Sequence, residues 1–227
     1  MALELDFPAV LDRWPSLVDG AVLTLELAFT ATLLGGLIGI LGAIGRRSAH
    51  PLIARLWGIY VEAIRNTPLL VQIFLVYFGL SSLGLQLSAV FVAALSLTIN
   101  VGAYTTEIIR AGFDSIPRGQ IEAAEGLALS RAQIYRHVVL LPAIERVYTS
   151  LTSQFVLLML ASSVTSQISA EELTAVANYI QSDTYRAFET YIVVALIYIV
   201  LSLVMRAGFF ALGLVMFPRR RRLGTAL

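Results

Sequence analysis

The 227-residue chain contains no cysteine and no lysine; all sixteen of its Lys/Arg positions are arginine. Without cysteine there is no disulfide, no thiolate metal ligand and no cysteine nucleophile. Without lysine there is no Walker A phosphate loop, so the chain is not itself a P-loop ATPase. Charge of either sign is scarce, at 14% of residues against 58% hydrophobic, which is far from the balance of a soluble domain. Histidine occurs only as His50 and His137, and neither sits in an HExxH, paired-carboxylate or Ser-His-Asp pattern. No catalytic residue and no metal site are expected. No short Gly-rich stretch suggests an ion filter either. What remains is apolar sequence suited to lipid.

Crossing a hydrocarbon layer of about 30 Å takes roughly 20 helical residues. Apolar segments cover residues 17–45, 68–83, 87–109, 147–168 and 191–217, with an interfacial helix expected over 51–64 ahead of the second. Arginines alternate with these segments: Arg46, Arg47 and Arg55 follow the first, Arg110 ends the third, Arg118, Arg131, Arg136 and Arg146 precede the fourth, and Arg219 to Arg222 follow the fifth. Acidic residues occupy the other ends, with Glu4, Asp6, Asp12 and Asp19 at the start and Glu171, Glu172, Asp183 and Glu189 between the fourth and fifth. The positive-inside rule then gives an all-α polytopic membrane protein of five transmembrane helices, amino terminus outside and carboxyl terminus in the cytoplasm. The leading segment has no basic front and no small-residue cleavage site, and is expected to remain outside.

Polar residues inside these spans are where function is sought. Gly35 and Gly39 form a GxxxG, extended by Gly42 and Ala43, which predicts close approach of a neighbouring helix. Glu62 and Arg65, three apart on one helical face, are expected to form a structural ion pair. Asn100, Tyr104 and Glu107 make a polar stripe on the third span, with Glu107 within reach of Arg110. The fourth span is the most polar and is expected to line the bundle interior. Candidate translocation-path residues are Asn100, Gln154, Ser162, Ser163, Thr165 and Gln167; for Asn100 interhelical glue, and for the hydroxyl run a packing face, are equally good readings.

The loop over residues 112–143 is the one long charge-rich amphipathic segment. Glu122, Ala123 and Ala124 lie in helix formers, Ser130 reads as the N-cap of a second helix, and a bend is expected near Leu129. A loop this structured exists to meet a partner.

Glu122-Ala123-Ala124, followed by Val138-Val139-Leu140 and a nearby proline, resembles the EAA loop of the membrane subunits of ATP-binding-cassette importers. Glu62-Ala63-Ile64-Arg65-Asn66-Thr67-Pro68-Leu69-Leu70 and Ala103 to Gly112 resemble signatures of that class's polar amino-acid permeases. The chain departs from the pattern in three places. Ala128 stands where the family has glycine, Leu141 where it has its proline, which here follows as Pro142, and Leu160-Ala161 where many relatives have Lys-Asp. The resemblance implies a type I importer permease fold in the bacterial inner membrane. It further implies a coupling helix that docks on a cytoplasmic ATPase dimer through Glu122, Ala123, Ala124, Ala128 and Ser130. The other implied partners are a second permease subunit, identical or homologous, and a periplasmic amino-acid-binding protein that delivers the amino-acid substrate. The protein would sit in membrane lipid and engage no nucleic acid. No cofactor is expected in this chain, since ATP and Mg would sit in the partner ATPase. The alternative is an ion-gradient-driven secondary transporter of small polar solutes, separable by whether uptake needs ATP or only a gradient.

Overall fold

The computed structural model describes residues 5–217, and these are overwhelmingly helical. Of the charges used to orient the chain, Glu4 and Arg219 to Arg222 lie outside the described residues. In order, the α-helices are α1 (Pro8–Leu11), α2 (Trp14–Arg46), α3 (Pro51–Arg65), α4 (Leu69–Ser82), α5 (Ala89–Asp114), α6 (Arg118–Gly126), α7 (Arg131–Gln133), α8 (Leu141–Ala161), α9 (Leu173–Thr184) and α10 (Ala187–Met216). A π-helix, Ile134–Leu140, joins α7 to α8, and a 3-10 helix, Ser162–Ile168, extends α8. Among the described residues four helical stretches are long and apolar enough to cross a membrane, Trp14–Arg46, Ala89–Asp114, Arg131–Ile168 and Ala187–Met216.

The expected interfacial helix and second span are present close to their predicted bounds as α3 and α4, but the second is short. α4 has 14 residues, a length of about 21 Å, and does not cross alone. It counts as a fifth span only together with α3, from which it is bent by 109°. Pro68 causes the bend: it cannot donate a backbone hydrogen bond and it drives Thr67 out of the helical region. Pro68 is itself extended (φ −59°, ψ 138°) and precedes α4 rather than starting it. The Gln72 amide nitrogen repairs the break by donating to the carbonyls of Ile64 (2.7 Å) and Thr67 (2.8 Å).

α2 and α5 form the centre of the bundle. Gly35, Gly39, Gly42 and Ala43 are all buried on the seam between them, as their spacing predicts. A Cβ on Gly35 would strike the Val101 side chain and lie 3.0 Å from the Thr98 carbonyl oxygen, and one on Gly39 would strike Thr105. Only glycine permits this separation. Leu27, Ala31, Ile73, Val92, Leu97, Val101 and Leu158 make a core where α2, α4, α5 and α8 meet. A second core, including Leu17, Met159, Leu173, Ile180 and Val194, fixes α9 and α10 to α2.

The fourth span also departs from its predicted start at residue 147, because helix is continuous from Arg131 through the π-helix into α8. Pro142 does not interrupt it. The π-helix shifts the register so that Pro142 falls in the first turn of α8, where a missing N–H is tolerated.

Between the fourth and fifth spans, Glu172 caps α9 and is fully buried. Its Oε1 accepts from the backbone N–H groups of Thr174 and Ala175, both at 3.0 Å. Its Oε2 accepts from the Tyr198 hydroxyl at 2.9 Å, and the Thr24 hydroxyl stands 3.5 Å away. One carboxylate thus ties α9 to α2 and α10. Burial pushes its pKa above the usual carboxylate range, against the lowering pull of those hydrogen bonds. The sequence shows Glu172 only as one more acidic residue of an outer segment.

Candidate functional site: the coupling loop and the membrane cavity

The loop is rigid because it is tied at both ends. Asp114, the last residue of α5, pairs with Arg47 and, at 2.5 Å, with Arg110. Arg110 also pairs with Glu107, the neutralisation expected from their spacing. The Arg47 guanidinium lies 5.8 Å from the centre of the Phe113 ring, and the Arg146 guanidinium holds the Ser115 carbonyl. Ile109, Phe113, Ile116, Ile134, Val139 and Ala143 form the loop's own core.

On this base the predicted coupling residues divide. Glu122 and Ala123 are exposed on α6, whereas Ala124 is buried in the loop core. Ala124 therefore does not belong to the outer surface assigned to it. Three and four residues before Leu127 and Ala128, it packs in the cluster formed by α5 and the π-helix. Leu127, which sequence reasoning passed over, is 76% exposed at the tip.

α6 ends in a Schellman motif: the Leu129 N–H donates to the Ala124 carbonyl (3.2 Å) and the Ala128 N–H to the Glu125 carbonyl (2.9 Å). Ala128 occupies its left-handed position at φ 54°, the position for which glycine is preferred. Ser130 then starts α7 through a capping box, its hydroxyl accepting from the Gln133 N–H and its own N–H donating to Gln133 Oε1 (2.9 Å). The N-cap and the bend near Leu129 are where the sequence puts them.

A cavity of about 530 Å³ lies at the α3–α4 corner, lined by Arg65, Asn66, Thr67, Pro68, Asn100, Tyr104, Gln154, Leu157 and Ala161, among others. Asn100 and Gln154 of the predicted path are here together. Asn100 donates from Nδ2 to Gln72 Oε1 at 2.9 Å, which directs its amide and leaves its carbonyl oxygen as an acceptor. Among the described residues lining the cavity Arg65 is the one that is charged, its guanidinium 5.6 Å from the centre of the Tyr104 ring.

One predicted pair does not form at this site, and part of the predicted path lies outside the cavity. Glu62 and Arg65 do not pair: the Glu62 carboxylate accepts from Asn66 Nδ2 at 3.0 Å, while Arg65 turns to Tyr104. An i+4 amide inside the same helix end outcompetes the i+3 guanidinium, which gains a ring face instead. The hydroxyls of the fourth span also miss the cavity. Ser162 and Thr165 are buried and donate to the carbonyls of Met159 (2.6 Å) and Ser162 (2.7 Å). Ser163 donates to Leu160 (2.7 Å), and Gln167 is exposed beyond the cavity. The 3-10 turn brings each hydroxyl over the carbonyl three residues back, so these groups are satisfied locally.

Comparison with known proteins agrees with this geometry. Residues 31–213 match the family described as binding-protein-dependent transport system inner membrane component. The chain is 36% identical over 210 residues to the nopaline transport system permease protein of Agrobacterium fabrum, covering 88% of this chain and 87% of that one. It is 36% identical over 197 residues to a probable glutamine ABC transporter permease protein of Bacillus subtilis, covering 87% and 91%. A solved amino acid ABC transporter, crystallised with histidines, superposes with a TM-score of 0.86 at 36% identity, over 93% of this chain and 99% of that one. With the family model spanning most of the chain, the protein is a multi-pass inner membrane component of the binding-protein-dependent transport systems.

Proposed function

We propose that this chain is the permease subunit of an importer that moves amino acids or close polar relatives into the cytoplasm. The observation that carries the reading is the cavity at the α3–α4 corner. A free amino acid presents a carboxylate and an ammonium on one carbon. Arg65 offers a planar cationic fork for the first, and the Asn100 carbonyl oxygen an acceptor for the second. Gln72 holds both ends of this arrangement, because it caps the corner from which Arg65 projects and accepts from Asn100. The relatives named for nopaline and glutamine transport support the substrate class.

Energy comes from a separate cytoplasmic ATPase dimer that holds the ATP and Mg. It grips the exposed face of α6 and its tip, with Glu122, Ala123 and Leu127 as the contact and Ala128 and Ser130 setting the shape of the turn. The ion pairs of Asp114 and the hold of Arg146 on Ser115 carry movement of α6 into α5 and α8. A second permease subunit completes the path, and a periplasmic binding protein delivers substrate on the side of α9. The arginine pattern supports a cytoplasmic position for the loop.

The test is uptake by the reconstituted complex. Glu122→Arg leaves membrane insertion intact but separates ATP hydrolysis from uptake. Normal ATP-dependent uptake by this variant, or uptake driven by an ion gradient without ATP, contradicts the proposal.

A further inference from the structure

We propose that the cleft between α8 and α10 around Arg206 binds the phosphate of an anionic phospholipid headgroup from the cytoplasmic leaflet. Arg206 lies in the stretch Ala187–Met216, which is apolar enough to span the membrane. It is exposed, and no carboxylate among the described residues pairs with it. A lone guanidinium at this depth is costly unless something anionic or water meets it. The cleft has a volume of about 180 Å³ and is lined by Tyr148, Thr149, Thr152, Ser153, Arg206 and Phe209, among others.

The hydroxyls beside the guanidinium are not equivalent. Thr152 donates to the Thr149 carbonyl at 3.0 Å, leaving only its lone pairs. Thr149 and Ser153 are exposed, and their hydroxyl protons have no acceptor among the described residues. A guanidinium with two free O–H donors suits a phosphodiester oxygen. The Tyr148 hydroxyl donates to the Phe209 carbonyl at 2.5 Å and fixes the two helices beside the cleft, so the site is preformed.

The ligand arrives through lipid. Phe210, which lines the cleft on the α10 side, is 54% exposed, and Leu203, three residues before Arg206 on α10, is 60% exposed; both suit acyl chains and not a water-borne solute. Ten residues separate Arg206 from Met216, or about 15 Å of helix, so the side chain extends toward the inner headgroups as membrane arginines do.

A second copy of the chain fits less well. Among the described residues its exposed span carboxylates without a partner are Asp19 and Glu26; the deeper, Glu26, is twelve residues from the start of α2, whereas Arg206 is nineteen from the start of α10. Those starts share a level, since Arg13 pairs with Asp183, and Arg186 with Asp6 at 3.7 Å. The two charges therefore differ in depth by about 10 Å. A two-fold axis along the membrane normal preserves that difference, and Arg206 would have to run away from the headgroups to close it.

The assignment uses the orientation proposed above, but its test does not. The complex, purified in detergent with its ATPase, is titrated with dioleoylphosphatidylglycerol or dioleoylphosphatidylcholine, and retained lipid is counted by native mass spectrometry. The expected result is preferential retention of phosphatidylglycerol, reduced at least tenfold in Arg206→Gln, largely kept in Arg206→Lys and reduced a few-fold in Ser153→Ala. Ser153→Ala keeps the charge and covers the case in which Arg206→Gln does not fold. Equal retention of the two lipids overturns the proposal. So does displacement of lipid by millimolar inorganic phosphate, which would make the ligand a soluble anion. Separation of the permease pair in Arg206→Gln with lipid retention unchanged overturns it in favour of a protein partner.

Discussion

Replacing Ala128 by glycine should stabilise the coupling loop, and the size of the gain follows from the backbone. Ala128 holds φ 54° because the Schellman bonds of Leu129 and Ala128 to Ala124 and Glu125 require a left-handed residue there. An L-residue with a Cβ pays roughly 1–2 kcal/mol for that conformation. Glycine removes the strain but loses about 0.4–1 kcal/mol through the greater freedom of its unfolded chain. The net gain is about 0.5–1 kcal/mol. Because the loop opens on its own more readily than the bundle unfolds, the change is best read locally. Amide exchange over Leu127 to Ser130 should slow roughly two- to fivefold in Ala128→Gly. The melting temperature of the purified complex should rise by about 1–3 °C. Ala128→Val, with a branched Cβ at the same positive φ, should do the reverse by at least as much. Equal exchange in all three proteins would show that the turn is not held left-handed, and the account of the loop's shape would fall with it.

Other perturbations are as definite. Gly39→Ala should cost about 1–3 kcal/mol by overpacking against Thr105; Gly36→Ala, whose added Cβ meets nothing within 4 Å, should be neutral in the same melt. Arg65→Gln should lower substrate binding by the receptor-free complex about 10- to 100-fold, the weight of a charge-assisted pair. Since no carboxylate among the described residues lines the cavity, glutamate and glutamine should compete there better than arginine or lysine. For Glu172 the folded pKa is raised, so the folded state binds the extra proton and stability falls as pH rises from the ordinary carboxylate value through the raised one. Melting curves against pH should show that fall in the native protein and lose it in Glu172→Gln. An unchanged slope would remove Glu172 as its source.

The helical, multi-span architecture is plain in the sequence because it depends on summed hydropathy and on the ladder of arginines, neither of which needs contacts. Ser130 and the bend before it are equally local and equally plain. Hydropathy along α3 and α4, by contrast, does not say that Pro68 turns the chain through 109°, so a 14-residue helix passes for a full crossing. The hydroxyls of Ser162 and Thr165 advertise a path but are consumed by their own backbone, a choice made by the 3-10 turn and not by residue type. Arg65 shows the same limit. Spacing offers it Glu62, and only the fold reveals Tyr104 and the cavity. Ala124 turns inward and Leu127 outward because an EAA pattern does not state which of its faces is buried.

The π-helix before α8 holds one more residue per loop of hydrogen bonding than an ordinary helix does. That surplus matches the one-place lag of Pro142 behind the family's proline. It also fixes the compass bearing of the whole loop between α5 and α8, since each residue added to or taken from a helix turns everything beyond it by about 100°. Deleting one residue between Ile134 and Leu140 would leave every named contact surface chemically intact yet swing it a quarter-turn away from whatever grasps it.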